Sequence, residues 1–266
     1  MIFTILGGTG FIGRNVADYL RELGYEVVIA PRDVKSLAAQ SLGHVLFAIG
    51  LTGGDARERP HDAIDAHVGL LSWVLQNTKY ESFLYLSSTR VYASMPPEEP
   101  VTEMTPLTVI PNAESLFDLS KLMAESLCDR THNPYVRIAR LSNVYGHGQS
   151  KATFLGAVIN EVHQTGGVII HDSPESVKDF IAIEDVCSML THIMLHGKHR
   201  LYNIASNTNL RCADIAKSIR QAGYHVTFLG SNPPRLFPPI SAERIRSEMG
   251  GEARSLLTDL PLLLAW

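Results

Sequence analysis

Three glycines at intervals of three, Gly7, Gly10 and Gly13, follow directly on the apolar run Ile2–Leu6 and lead into an amphipathic stretch, Asn15–Leu23. That order reads strand, tight turn, helix, with Gly24 placed to cap the helix C-terminus. A residue without Cβ lets such a turn close, lets backbone approach a pyrophosphate, and lets the helix pack close to the strand. The helix N-terminus then offers unpaired N–H groups and the positive end of its dipole to the phosphates. The segment Gly7-Gly8-Thr9-Gly10-Phe11-Ile12-Gly13 therefore predicts a dinucleotide site, with Gly7, Gly10, Phe11, Ile12 and Gly13 as its contacts.

Downstream, short β-rich runs alternate with helix-like stretches, the pattern of a parallel sheet covered on both faces. Expected strands are Glu26–Ala30, Val45–Ile49, Phe83–Leu86 running into Ser87-Ser88-Thr89, and Tyr135–Leu141. Expected helices are Ile64–Gln76, Glu114–Cys128 and Phe154–Gln164. The last third changes character. It has short strands at Val168–His171, Val177–Ile183 and Leu201–Ile204, helices at Ile183–Leu195 and Cys212–Ala222, and a proline-rich loop from Asn232 to Pro239. The implied fold class is α/β, a Rossmann-type doubly wound parallel sheet with a small C-terminal substrate lobe. Residues 1–150 are expected to form the dinucleotide-binding domain and residues 151–266 the lobe, interwoven with the end of the sheet.

At 266 residues the chain has room for one large domain and a small appended lobe. A formal net charge of −4 and the lack of a basic run argue against nucleic acid as a partner. No apolar run reaches the ~18 residues of a membrane span, and Met1–Leu6 has no basic start of a secretion signal. A cytoplasmic protein that does not enter a membrane is expected. Cys128, Cys187 and Cys212 are too scattered for a disulfide framework or a zinc pattern, so no metal is expected.

The tip of the second strand bears on the cofactor. An acidic residue there grips the ribose 2′-hydroxyl of NAD. Here the strand ends Ile29-Ala30-Pro31-Arg32, with no carboxylate at the tip. A guanidinium at Arg32 suits a 2′-phosphate through bidentate, charge-assisted hydrogen bonds, which points to NADP. Asp33, one residue on, keeps NAD as the alternative.

With these residues in hand, the chain resembles the extended short-chain dehydrogenase/reductase family, the NAD-dependent epimerases, dehydratases and ketoreductases of nucleotide sugars. Leu86-Ser87-Ser88-Thr89-Arg90-Val91-Tyr92 is similar to that family's Ser-Ser-x-x-Val-Tyr segment. Arg140-Leu141-Ser142-Asn143-Val144-Tyr145-Gly146 is similar to its Arg-x-x-Asn-Val-Tyr-Gly segment. Lys178-Asp179-Phe180-Ile181 with Asp185-Val186, and Leu201-Tyr202-Asn203-Ile204, follow in the same order. The resemblance implies catalytic roles at Ser88, at position 117 and at Lys121, with Lys121 also holding the nicotinamide ribose. It implies substrate contacts at Ser88 and Asn143, and a substrate diphosphate held by Lys178 and Arg235. It places Tyr85, Tyr92 and Tyr145 in the core. It also implies that Ile64–Gln76 and Glu114–Cys128 pair with a second copy in a homodimer.

Two departures stand out. The family's catalytic tyrosine lies four residues before the lysine, and here that position is Phe117. One helical turn puts 117 and 121 on one face. A phenyl ring keeps the packing but has no proton to exchange, so binding is expected to survive and chemistry to be impaired. Phe117 is then either a change introduced to trap a substrate complex, which the maintained surroundings favour, or the mark of a naturally disabled or re-purposed member. The second departure is a deletion. Only Pro31–His44 separates the second strand from Val45–Ile49, so the sheet is expected to lack one edge strand and the adenine pocket to be more open.

Thr89 and Arg90 stand where the family's dehydratases carry acidic residues. The expected function is therefore a nucleotide-sugar ketoreductase or epimerase using NADP(H), inactivated at Phe117. A non-catalytic NADP(H)-binding sensor or scaffold is the alternative.

Overall fold

The computed structural model describes residues 1–229 and 233–265. Asn232 of the proline-rich loop and the terminal Trp266 lie outside them. The chain opens β1 (Ile2–Leu6), α1 (Phe11–Glu22), β2 (Glu26–Ile29), β3 (His44–Phe47), α2 (Gly53–Glu58) and α3 (Pro60–Ile64). A π-helical turn, Asp65–Gly69, joins α3 without a break to α4 (Leu70–Asn77). Then come β4 (Ser82–Ser88), α5 (Leu116–Arg130), β5 (Val136–Leu141), β6 (Asn143–Tyr145) and α6 (Phe154–Thr165). The remainder is β7 (Gly167–Ile170), β8 (Val177–Ala182), α7 (Ile183–His196), β9 (Leu201–Ile204), β10 (Asn209–Arg211), α8 (Cys212–Gln221), β11 (His225–Phe228), α9 (Glu243–Met249) and α10 (Leu256–Leu264).

Six strands form one parallel sheet in the order β2-β1-β3-β4-β5-β9. The apolar runs of β1 and β4 are buried on both faces, as a sheet sandwiched between helix layers requires. On one face α1 and α7 pack through Val16, Leu20, Val186 and Leu190. On the other, α4 and α5 pack through Leu71, Val74, Ala124 and Cys128. This is the doubly wound α/β fold that the pattern predicts.

The expected deletion is visible in the topology. Between β2 and β3 the chain makes one 3-10 turn, Val34–Leu37, and no further strand. β3 then pairs with β1 on the side away from β2, so β2 is the sheet edge.

A second core lies beyond the end of this sheet. β6, β8 and β10 form a small sheet, and β7 pairs with β11. Leu155, Val162, Phe180, Ile215 and Leu260 come together there from α6, β8, α8 and α10. The chain passes between the two cores, since β9 and α7 belong to the main sheet and its helix layer.

Element boundaries shift from expectation where backbone chemistry outweighs hydrophobic period. α1 starts at Phe11 because Gly10 acts as its N-cap. The expected Ile64–Gln76 helix begins at Pro60, a favoured first helical residue, and carries the π turn. β6, β10, β11, α2, α9 and α10 escape the sequence reading because each is short, and β11 alternates between exposed and half-buried residues.

Candidate active site

The glycine loop forms a cradle whose shape depends on absent side chains. Gly7 has φ +83, and a Cβ there would lie 2.7 Å from the Ala48 carbonyl. A Cβ at Gly13 would lie 2.4 Å from the Gly7 oxygen, so the first turn of α1 rests directly on the loop. Gly10 caps α1 and no side chain occupies the cap. Its backbone is ordinary (φ −75), and a Cβ there would meet one atom within 4 Å, the Gly7 oxygen at 3.3 Å. Gly7 and Gly13 are thus required by the fold. The uncapped N-terminus of α1, between the ends of β1 and β3 where the strand order reverses, fits a pyrophosphate.

Gly10, Phe11, Ile12 and Gly13 line one wall of a cleft of about 540 Å³. Ser88, Phe117, Lys121, Asn143 and Lys178 line the same cleft. Five segments far apart in sequence therefore converge on one space. Arg32 and Arg235 do not line it. Both are exposed, and Arg235 contributes backbone hydrogen bonds to Ser176 and Val177. Phe237, from the same loop, does reach the cleft.

Phe117 and Lys121 share a face of α5, with the ammonium Nζ 5.8 Å from the ring centre. Nζ donates to the Leu86 carbonyl at 3.0 Å and lies 5.1 Å from the Tyr85 ring. Lys121 is buried, and burial pulls its pKa down to about 7, partly offset by Glu125. An amine in that state can change protonation at working pH.

Behind this pair sits His67, a residue the sequence reading passed over. The π turn places it in full burial, its ring edge-on to Phe117 at 5.5 Å. His67 Nε2 accepts from the Leu51 N–H at 3.0 Å, so the proton belongs on Nδ1. Nδ1 then donates to Ser120 Oγ at 2.8 Å, and Ser120 donates to the Phe117 carbonyl at 2.7 Å. Desolvation and nearby Lys121 lower the imidazole pKa to about 3, so the ring stays neutral. His67 fixes the Leu51 segment that lines the cleft.

Arg90 and Asp118 form the other flank. Arg90 Nε and Nη2 donate to the two Asp118 oxygens at 3.1 and 3.4 Å, and the guanidinium carbon lies 5.2 Å from the centre of the Phe117 ring. Burial raises the Asp118 pKa, with Arg90 opposing. Ser88 ends β4, and its hydroxyl accepts from the Arg90 N–H at 3.2 Å. It therefore caps a turn and also faces the cleft.

Several motif residues prove architectural. Arg140 grips Glu125 through two bonds, 2.9 and 2.6 Å, and donates to Tyr92 Oη at 2.8 Å. Ser87 donates to Glu125, and Tyr92 to Asn203. This buried network ties β4, α5, β5 and β9 together beneath the site. Tyr85 and Tyr145 are also core residues, Tyr145 donating to Asp259. Asp179 accepts from Ser142, Ser206 and Thr208, locking β8 to the segment after β9.

At the lobe wall, Asn143 donates to the Asp179 carbonyl at 2.8 Å. Lys178 is engaged with Asp172 at 2.8 Å and lies over the Phe154 ring. Cys128, Cys187 and Cys212 are buried apart from one another. No helix among the described residues is long and apolar enough to cross a membrane.

Glu125, Asp118 and Asp172 were also missed. Glu125 had a signal: it lies four residues beyond Lys121 on the buried stripe of α5. His67 had none, because a single histidine in a helical pattern does not announce a π turn.

Against known proteins, the profile of the family described as "NAD dependent epimerase/dehydratase family" matches residues 3–70 and 48–205. A Methanocaldococcus jannaschii protein described as "Putative UDP-glucose 4-epimerase" is 23% identical over 240 residues, covering 76% of each chain. Among solved structures, a UDP-glucose 4-epimerase from Thermotoga maritima with UDP-glucose superposes with TM-score 0.81 at 19% identity, covering 100% of this chain and 98% of that one. RMD from Pseudomonas aeruginosa, complexed with NADPH, superposes with TM-score 0.78 at 20% identity, covering 99% and 97%. At such identities these two structures establish a common fold.

Proposed function

The chain belongs to the NAD dependent epimerase/dehydratase family, and from that premise we propose that it is a nucleotide-sugar ketoreductase or epimerase whose chemistry is impaired at Phe117. The observation that carries this reading is the single cleft joining the glycine cradle to Ser88, Phe117 and Lys121. The family's cofactor is NAD, and our reading of Arg32 favours NADP. A nicotinamide dinucleotide bound in the cradle would supply hydride transfer.

The chain's own groups divide the remaining work. Ser88 Oγ donates to the sugar oxygen at the reacting carbon and aligns it. Lys121 Nζ, now on the Leu86 carbonyl, holds the nicotinamide ribose and supplies positive charge. Phe117 packs the position from which a phenol would exchange the proton. Asn143 meets the substrate at the lobe wall. Lys178, on release from Asp172, and Arg235, two residues before cleft-lining Phe237, meet the diphosphate. We place the enzyme in the cytoplasm as a homodimer through α4 and α5; exposed Met123 (55%) on α5 favours such a contact.

The test is calorimetric titration of NADPH, NADH and UDP-glucose. Dinucleotide and nucleotide-sugar binding without turnover is expected, and a protein that binds neither refutes the reading. The sensor or scaffold alternative draws on one feature, the close covering of Phe117 by Arg90. It predicts dinucleotide binding with no nucleotide-sugar binding.

A further inference from the structure

We propose that Arg90 reads a carboxylate on the substrate, so that the sugar taken at this site is a uronic acid. The inference rests on the nucleotide-sugar reading above and narrows its substrate class.

The guanidinium is held at one edge and packed beside an aromatic ring. Asp118 takes the edge formed by Nε and Nη2, and the guanidinium carbon lies 5.2 Å from the centre of the Phe117 ring. Gly53 leaves the Nη1 side clear of any side chain, for a Cβ there would stand 2.5 Å from Nη1. A side chain at 53 would therefore crowd the guanidinium in its present place. Arg90 nevertheless remains 42% exposed and lines the cleft.

A guanidinium has two forked edges. With Asp118 on the first, the second, formed by Nη1 and Nη2, is left over. Among the described residues no acceptor meets Nη1. A pinned, planar fork matches a carboxylate bidentately, whereas a sugar hydroxyl offers one oxygen and uses half of it. The other cations of the cleft are committed, Lys121 to the Leu86 carbonyl and Lys178 to Asp172. When protonated, Lys121 adds positive charge beside the same ring.

Position supplies the rest. Arg90 follows Ser88 by two residues, and its N–H is bonded to the Ser88 hydroxyl. In a hexose the C4 oxygen and the exocyclic C6 group are neighbours through C5. A sugar that places its reacting oxygen on Ser88 and turns C5, rather than C3, toward Arg90 brings its C6 group within reach of the guanidinium.

The experiment compares matched pairs differing only at C6, UDP-glucuronate against UDP-glucose and GDP-mannuronate against GDP-mannose. Each is titrated into the NADP(H)-loaded protein by calorimetry, with UDP and GDP alone as controls. One charge-assisted contact corresponds to about tenfold or more, so the uronate of at least one pair should bind at least ~10-fold tighter than its neutral partner. Arg90→Gln should erase that preference. Gly53→Ala keeps every charge but crowds Nη1, and should reduce the preference with no loss of melting temperature. It decides the matter if Arg90→Gln fails to fold. Equal affinity for both members of each pair, or a preference that survives Gly53→Ala and Arg90→Gln, overturns the carboxylate assignment alone. Failure of every nucleotide and nucleotide sugar to bind overturns the parent reading with it.

Discussion

Phe117→Tyr is the most informative single change. The ring keeps its place, so the Phe117 contacts with Arg90 and His67 persist. The new hydroxyl enters the field of Lys121, whose Nζ is 5.8 Å from the ring centre. At a separation of roughly 5 Å and an effective dielectric constant of about 20, that attraction is worth roughly 3 kcal/mol for a phenolate. This lowers the phenol pKa by about two units from its reference of about 10, before burial takes part of the shift back. The attraction exists only while Lys121 is charged, and its own pKa stands at about 7, so phenol and amine titrate as a pair. The assay is NADPH absorbance over a panel of 4-keto nucleotide sugars, with epimerisation followed by NMR. The Tyr form should turn over at least ~10²-fold faster. Adding Lys121→Met should remove most of the gain. A Tyr form that binds cofactor and nucleotide sugar yet stays inert would refute the reasoning and return the protein to the sensor reading.

Four further outcomes follow from the geometry. Glu125→Ala strands buried Arg140 and should cost about 3–5 kcal/mol, read by denaturant titration. His67 has a folded pKa of about 3 against 6.5, so its contribution is complete above pH 6.5 and is lost as pH falls toward 3; a His67→Phe variant should show a flatter loss of melting temperature over that window. Lys121 binds its proton less readily when folded, at about 7 against 10.5, so unfolding free energy should rise with pH between those values, and Lys121→Met should abolish that rise. Arg32→Ala should reduce the NADPH-to-NADH affinity ratio several-fold, and an unchanged ratio removes the preference for NADP.

The glycine cradle was legible because its needs are local: a turn, a positive φ at Gly7 and contact between Gly13 and the loop each depend on a few consecutive residues. The Phe117–Lys121 relation was legible for the same reason, since helical period alone fixes their shared face. Partnerships across the fold were not. Nothing in the sequence says that Asp118 will face Arg90, that Glu125 will take Arg140, or that Asp172 will hold Lys178. These depend on strand register and on a turn. The same limit explains Arg32 and Arg235: their charge was readable, but their exposure outside the cleft was set by the path of the loops that carry them.

The shortened sheet has a consequence for how molecules of this protein meet at high concentration. With β2 as the boundary strand, its outer row of backbone donors and acceptors is a template for a strand from another molecule. Val28, 42% exposed, adds an apolar foothold there. The strand counters this with brevity and chemistry: it is four residues long, opens with charged Glu26, and is followed closely by Pro31, which has no N–H to offer. Replacing Pro31 by a β-branched residue would lengthen the template, and the first sign should be aggregation by strand addition while the folded site itself is unchanged.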